Sequence, residues 1–239
     1  MTQPLINPTD AQLMRSYIQR IATGPHMSKD LAQEEAQMGM QLILENRADP
    51  VQAAIFLIAL RMKRETEAEN QGILQAIRHN TRFATAAIPE LVDLTDPFDG
   101  FLRHVPASPF VPAVLAACGL PAFAHGVETM GPKYGVTHRQ VLRAAGVAVD
   151  LSPTAAAQRL ENQAIGWAYL DQRDYAPDLH GLTELRTRMV KRPCITTLEV
   201  MAGPVRSTGK NYLVTGYVHK PYREVYLNLA RHAGYDAAV

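Results

Sequence analysis

Asp49-Pro50-Val51-Gln52-Ala53-Ala54-Ile55-Phe56-Leu57-Ile58-Ala59-Leu60-Arg61-Met62-Lys63 is the stretch on which the fold turns. An aspartate cap followed by proline at the first helical position is a strong helix start. From Val51 to Met62 the helix is apolar nearly all round. It therefore needs cover on more than one side, from its own domain and, as a candidate, from a second subunit. Upstream, Thr9 with Gln12 reads as a capping box for a helix with Leu13, Tyr17, Ile18 and Ile21 on one face. Ser28 reads as the cap of a second helix carrying Leu31, Met38 and Leu42. Downstream, Thr66 with Glu69 caps a fourth helix running to about His79. Residues 1–80 thus read as a helical domain.

After Thr81 the pattern changes. Short apolar runs at Leu91–Leu94, Pro121–His125, Gly166–Leu170 and Tyr212–Val218 read as strands. Between them lie helical stretches opened by Ser108-Pro109, Thr137 and Ser152-Pro153, then stretches at Leu182–Val190, Ile195–Met201 and Pro221–His232. Strands alternating with helices predict an α/β fold for residues 81–239, with a mainly parallel sheet and flanking helices.

Composition narrows the function classes. The chain has 239 residues, enough for one large domain or two unequal ones. Apolar residues are 47% and charged residues 20%, a globular mix. The net charge of +1 excludes a uniformly basic nucleic-acid coat, though not a local basic patch. Met1–Pro8 lacks a basic and apolar targeting pattern, and the longest apolar run, Ala53–Leu60, is far short of the ~20 residues a spanning helix needs. A soluble, cytoplasmic protein without membrane association is expected. Cys118 and Cys194 cannot build a disulfide framework, and the histidines lack ligand spacing, so no metal site is expected.

In an open parallel sheet, ligands bind beyond the C-terminal ends of the strands. Three loops are expected there. One is Asp96-Pro97-Phe98-Asp99-Gly100, leading to Ser108; a second runs from His125-Gly126 through Lys133 and Gly135 to Thr137; the third is Arg206-Ser207-Thr208-Gly209-Lys210. Each reads either as a phosphate site or as an ordinary connection with solvated side chains. Arg206–Lys210 lacks the spacing of a phosphate loop and reads as a turn. Arg186, Arg188, Lys191 and Arg192 form a basic cluster. On a helix, 188, 191 and 192 share a face, and Glu184 is the only acid close in sequence. The cluster is a candidate for phosphates, carboxylates or a nucleic-acid backbone. No G-x-S-x-G is present, so serine-hydrolase chemistry is unsupported.

The stretch Ala53–Lys63 with Glu65-Thr66-Glu67-Ala68-Glu69 resembles the A-x-F-L-x-A-L-R-x-K-G-E-T-x-x-E motif of anthranilate phosphoribosyltransferases, with Arg64 in place of the glycine. Pro121–Gly126 and Val141–Gly146 resemble that family's K-H-G-N-R segment and V-L-E-A-L-G helix, and Thr197–Pro204 its helix before a G-P turn. The resemblance spans nearly the whole chain. It implies a small helical domain plus an α/β domain of the nucleoside-phosphorylase/phosphoribosyltransferase type. It also implies a homodimer through the helical domain, and phosphoribosyl transfer from phosphoribosyl pyrophosphate with magnesium.

The departures are specific. The family's G-T-G-G-D is Thr95-Asp96-Pro97-Phe98-Asp99, and prolines and phenylalanine bar the close backbone approach that glycines allow. N-x-S-T is Pro106-Ala107-Ser108-Pro109. K-H-G-N-R is Ala124-His125-Gly126-Val127-Glu128, with an acid where the family has arginine; a carboxylate there is expected to repel a phosphorylated substrate. The pattern resembles a divergent branch lacking the phosphoribosyl pyrophosphate motif, some of whose members bind nucleic acid.

Asp99, Gly100, Ser108, His125, Gly126, Lys133, Gly135 and Thr137 are the candidate phosphate-binding residues, and Arg186, Arg188, Lys191 and Arg192 the candidate polyanion-binding ones. Three readings stay open. One is a pentosyltransferase-type enzyme with a degenerate diphosphate-sugar site, acting on a phosphorylated small molecule, with magnesium if catalytic. The second is a non-catalytic dimer binding nucleic acid or another polyanion. The third is a structural dimer. Ordinary anthranilate phosphoribosyltransferase activity is disfavoured by the loop chemistry. Set against the family, the chain reads as its first two-thirds, with Asp236–Val239 opening a strand that leads toward the family's metal-binding segment.

Overall fold

Four helices come first. In the computed structural model, which describes residues 7–24 and 26–239, they are α1 (Pro8–Ile21), α2 (Gln33–Leu44), α3 (Pro50–Lys63) and α4 (Glu67–His79). The reading of the targeting pattern at Met1–Ile6 lies outside the described residues. Two caps shift from expectation. Asn7, not Thr9, caps α1, accepting from the Thr9 N–H at 3.0 Å. At α2 the Glu35 carboxylate reaches back to the Ala32 N–H at 2.9 Å, while the Ser28 hydroxyl accepts from Gly24. The Thr66–Glu69 box at α4 forms as expected. Helices α2 and α4 pack so closely that a Cβ on Gly72 would lie 2.1 Å from the Gln33 carbonyl oxygen, which excludes every other residue there. Buried Glu69 also joins the elements, accepting from Leu31 N–H and pairing with Lys63.

Helix α3 buries Ala53, Phe56, Leu57 and Leu60 within this chain. Its other face leaves Val51, Ile55 and Met62 exposed at 63%, 41% and 77%. The nearly all-apolar helix is thus covered on one side only.

The second part contains β1 (Ala84–Ala86), β2 (Glu90–Leu94), α5 (Val111–Ala117), β3 (Ala122–Gly126), α6 (His138–Ala144), α7 (Pro153–Glu161) and β4 (Trp167–Asp171). It continues with the short helices α8 (Gln172–Tyr175), α9 (Pro177–Gly181), α10 (Thr183–Met189) and α11 (Ile195–Leu198), then β5 (Val205–Ser207), β6 (Lys210–Val214), α12 (Tyr222–His232) and β7 (Ala237–Ala238). Five strands form one parallel sheet in the order β4-β3-β2-β6-β7, and β1 pairs in parallel with β5 apart from it. The expected strands are present with ends shifted by one or two residues, except that β6 stops at Val214 rather than Val218. There the chain turns off the sheet, and the Thr215 hydroxyl donates to the Thr95 carbonyl. Strands β2, β3 and β4 are almost wholly buried, as a sheet covered on both faces requires.

Two arginines fasten the helices to the sheet part. Arg61 donates to the Cys194 carbonyl and Thr197 hydroxyl, both at 3.1 Å, and Arg78 to the Ala202 carbonyl at 2.9 Å. Among the described residues, no helix is long and apolar enough to cross a membrane.

Candidate functional site

The C-terminal ends of β2 and β3 release the two loops singled out in the sequence, and the structure zips them together. Phe101 and Val136 exchange both backbone hydrogen bonds at 2.9 Å, and the Gly135 N–H donates to the Asp99 carbonyl at 2.9 Å. Gly100 has φ +74°, and a Cβ there would meet the Gly135 carbonyl oxygen at 2.5 Å, so the close approach depends on glycine. Asp99, Gly100, Lys133, Gly135 and Thr137 are therefore neighbours.

The crevice directly above the strand ends is almost filled. Phe98 and Tyr169 are buried, and the remaining volume of about 10 Å³ is room for roughly one water. Gly126 lies against the Tyr169 hydroxyl. His125, only 1% exposed, forms part of the floor: Nδ1 is 2.8 Å from the Tyr175 hydroxyl and Nε2 3.3 Å from the Asp93 carboxylate. Burial pushes the Tyr169 and Tyr175 phenols well above their ordinary range. Thr137 also faces inward. Its hydroxyl caps α6 at the Gln140 N–H and donates to the Glu128 carbonyl.

Ser108 belongs to a different group. Its hydroxyl donates to Asp96 at 2.8 Å and lies 2.9 Å from His138 Nε2, which is itself 2.8 Å from the same Asp96 oxygen. Both partners meet one imidazole nitrogen, so this is a three-way knot rather than a relay with aspartate and serine on opposite ring nitrogens. Burial alone would raise the Asp96 pKa, but the hydrogen bonds and charge of His138 and the Ser108 hydroxyl hold it below the ordinary value.

One step outward is a cavity of about 490 Å³, bordered by Pro97, Lys133, Arg192, Tyr217, Tyr222 and Tyr226. Asp99, 1% exposed, sits behind its wall. One carboxylate oxygen accepts from Arg192 Nε at 2.8 Å and from its Nη2; the other is 3.5 Å from Lys133 Nζ and has no hydrogen bond. Both cationic side chains stay 41% exposed. Two half-exposed cations thus share one buried carboxylate at the mouth of a cavity of ligand size.

The basic cluster does not hold together. Helix α10 ends at Met189, and Val190 takes φ +62°, so Lys191 and Arg192 leave the helix and share no helical face with Arg188. Arg186 is no surface cation. It makes a two-pronged pair with Glu199 at 2.6 and 2.7 Å, both side chains essentially unexposed. Glu184 is therefore not the acid that matters: Glu199 and Asp99, remote in sequence, neutralise Arg186 and Arg192. Only Arg188 and Lys191 remain exposed and without an ion pair among the described residues. The expected repulsion from Glu128 is also corrected, because Arg139 at 2.9 Å and Arg143 at 2.7 Å bind its carboxylate.

Sequence reasoning missed Asp96, His138, Arg139 and the tyrosines of the cavity wall. Asp96-Pro97 and the capped start at Thr137-His138 carried a turn signal but no sign that they meet. Arg139 carried no local signal at all. As for a metal, no group of three His, Cys, Asp or Glu side chains able to hold one exists among the described residues. Asp96 and Asp99 are already bonded to His138 and Arg192.

Residues 15–81 match the helical bundle domain of a glycosyl transferase family. An anthranilate phosphoribosyltransferase from Thermomicrobium roseum is 28% identical over 195 residues, covering 81% of this chain and 54% of that protein. The crystal structure of anthranilate phosphoribosyltransferase from Thermus thermophilus superposes with a TM-score of 0.78 at 20% identity, over 93% of this chain and 63% of that one. The Saccharomyces cerevisiae enzyme in complex with PRPP and Mg gives a TM-score of 0.71 at 13% identity, with the same coverage. At these identities the structural likeness concerns the fold. The chain spans little more than half the length of the curated relatives it matches.

Proposed function

Because the chain belongs to the anthranilate phosphoribosyltransferase-like glycosyltransferase family, we propose that it binds a phosphorylated pentose at the Lys133–Arg192 cavity and is a pentosyltransferase-type protein with a degenerate diphosphate site. The observation that carries this reading is the pair of half-exposed cations around buried Asp99 beside a cavity of about 490 Å³. Two cations against one carboxylate leave a surplus positive charge, suited to one phosphate group. Lys133 would act as a point charge and the Arg192 guanidinium as a planar fork, their positions set by Asp99.

The space where a diphosphate would follow the backbone is closed. Phe98 and Pro97 occupy the loop, and the crevice holds about one water. This supports loss of ordinary transfer to anthranilate. Magnesium accompanies PRPP in the yeast relative, but Asp96 and Asp99 are a poor donor set for a protein-held ion because each already serves a cationic or imidazole partner. The reading as a nucleic-acid or polyanion binder is weaker, since the buried pair removes Arg186 and the end of α10 separates Arg188 from Arg192. The exposed apolar stripe of α3 supports a homodimer.

Calorimetry with ribose 5-phosphate and with phosphoribosyl pyrophosphate, each with and without magnesium, tests the reading. Ribose 5-phosphate is expected to bind without magnesium, and Lys133→Ala or Arg192→Ala to weaken it about tenfold or more, the range for a charged hydrogen bond. Micromolar, magnesium-dependent binding of phosphoribosyl pyrophosphate with transfer to anthranilate would overturn it.

A further inference from the structure

Four non-glycine residues among those described have left-handed backbone, and two of them stand beside the cations of the Lys133–Arg192 pair. Tyr134, at φ +53°, follows Lys133, and Val190, at φ +62°, precedes Lys191 and Arg192. Asparagine, as at Asn46, tolerates this region. For a bulky or β-branched side chain it is an outlier that persists only where the surroundings impose it. Burial does not impose it here, because Val190 is 66% exposed and Tyr134 51%. Ending α10 does not explain it either, since glycine closes a helix in the same conformation with no Cβ to clash.

What imposes it is the chain on either side. Upstream, α10 is anchored by the buried pair of Arg186 with Glu199. Downstream, Pro193 and Cys194 are buried, and their carbonyls accept from Arg61 Nη2 at 3.3 and 3.1 Å. Residues 190–192 alone span the gap between these anchors. Pro193 disfavours helical backbone at Arg192, so the turn out of α10 falls earlier, on Val190. That turn carries Arg192 off the helix, and its Nε meets the Asp99 carboxylate at 2.8 Å. Lys133 is held in a similar way. The Tyr134 N–H donates to the carbonyl of buried Met130 at 3.1 Å, and the Gly135 N–H to the Asp99 carbonyl at 2.9 Å. The left-handed step at Tyr134 is closed between these two bonds and leaves Lys133 Nζ 3.5 Å from the Asp99 carboxylate.

We propose that Val190 and Tyr134 are positioning residues, whose left-handed backbone holds Arg192 and Lys133 at the mouth of the cavity for a phosphate group. The role lies in the main chain rather than in what either side chain touches. The gain is preorganisation: cations already held in place lose less freedom when an anion arrives. The inference rests on the phosphate reading of the Lys133 cavity for its ligand, while the hold on Arg192 exists in the free protein and is measurable there.

The test compares variants of the full chain that permit the left-handed conformation with variants that release it. Titration calorimetry reads ribose 5-phosphate affinity, and NMR reads the exchange-protected Arg192 Nε–H, whose signal Arg192→Lys identifies. Val190→Asn should keep that signal and hold affinity within about threefold, because asparagine tolerates the conformation. Val190→Gly should raise Tm by about 2 °C or more, because glycine carries no Cβ to strain. Val190→Pro cannot take a positive φ, and one glycine inserted between Val190 and Lys191 frees the link. Each should lose the Nε–H signal and weaken affinity about tenfold, as Arg192→Ala does. The insertion decides the matter if the proline variant does not fold. Tyr134→Asn, Tyr134→Pro and one glycine inserted between Lys133 and Tyr134 should divide in affinity in the same way. Parent-like affinity or a retained Nε–H signal in the Val190 insertion variant, or a tenfold loss in Val190→Asn, would overturn the proposal; a lower Tm in Val190→Gly would overturn the strain argument. If the parent does not bind ribose 5-phosphate, the phosphate reading fails, and the Nε–H signal still decides whether Val190 holds Arg192 in place.

Discussion

Removing the carboxylate of Glu199 is the sharpest test of how the basic segment is built. Arg186 Nη1 and Nη2 meet the two Glu199 oxygens at 2.6 and 2.7 Å, and the side chains are 1% and 0% exposed. Gln172 adds a contact to the same carboxylate at 3.3 Å. In Glu199→Ala the guanidinium would stay buried without a counter-charge, which costs about 3–5 kcal/mol. For a chain of this length each kcal/mol moves Tm by about 2–4 °C, so a fall of about 6–20 °C is expected. Replacing both partners by apolar residues of similar length, Arg186→Met with Glu199→Leu, should recover most of that loss, because an apolar pair avoids the desolvation of two charges. Differential scanning calorimetry on Arg186→Met, Glu199→Leu and the double variant that combines them gives the coupling directly. The salt concentration for elution from heparin should stay within the parent range in Arg186→Met, since a sealed cation contributes nothing to a surface field. A Tm within about 2 °C of the parent for Glu199→Ala, joined to earlier heparin elution for Arg186→Met, would refute the burial argument and restore Arg186 to the surface cluster.

Three further outcomes are expected. Asp96 is held below its ordinary pKa, so its ionised form contributes stability that is complete above the unfolded value of about 3.9 and is lost as pH falls through the lower folded value. Thermal melts from pH 7 downward should show Asp96→Asn losing less Tm below about pH 4 than the parent does, and an equal loss would exclude the His138–Ser108 knot as its cause. Ile55→Glu places a charge on the exposed stripe of α3, so light scattering should read a monomer while the far-UV spectrum stays unchanged; a parent already monomeric at high concentration would remove the dimer. Gly100→Ala forces a Cβ to within 2.5 Å of the Gly135 carbonyl oxygen at φ +74°, and it should lower Tm by about 2–8 °C and loosen ribose 5-phosphate binding through Asp99. Unchanged Tm and affinity would show that the two loops need not be zipped.

Much of the architecture was legible because it rests on local signals. The Asp49-Pro50 start, the Thr66–Glu69 box and the apolar runs of β2, β3 and β4 depend on neighbours in sequence, and they appear where expected within a residue or two. Asn7 and Ala32 displaced the expected caps because a side-chain cap is a competition among nearby acceptors, and Glu35 could serve a residue with no acceptor of its own. The three-residue strands β1 and β5 carry too little pattern to read. At the site, residue types with a loop signal were found: Asp99, Lys133 and Ser108 lie at the strand ends. What each of them meets was illegible. Arg192 and Asp99 are 93 positions apart and Ser108 and His138 30, so no spacing announces either contact. The misreading of Arg186 has the same origin, since a charge run looks solvated until a distant glutamate is folded onto it.

The acid at Glu128 looked in isolation like a block to anion binding, yet the structure spreads its charge through a network. Arg139, Arg143 and Arg173 face Glu128, Asp150 and Asp171, three cations against three carboxylates, joined by ion pairs that run from one to the next. The group is therefore close to neutral, and Arg139, its buried hub, keeps its positive charge because those acids outweigh the effect of burial. Asp96 is matched by His138 and Ser108. After these pairings, Lys133 and Arg192 against Asp99 leave one positive charge at the cavity mouth. A phosphate approaching the cleft meets a balanced wall and a single attractive point, and dissolved salt at about 0.1 M screens the residual field of the balanced pairs beyond a Debye length of about 10 Å. Changing the sign at Glu128 alone would disturb the network rather than simply open the site. Glu128→Arg should thus destabilise the loop through Arg139 before it improves phosphate affinity, whereas exchanging charge at Lys133 should change affinity with little change in Tm.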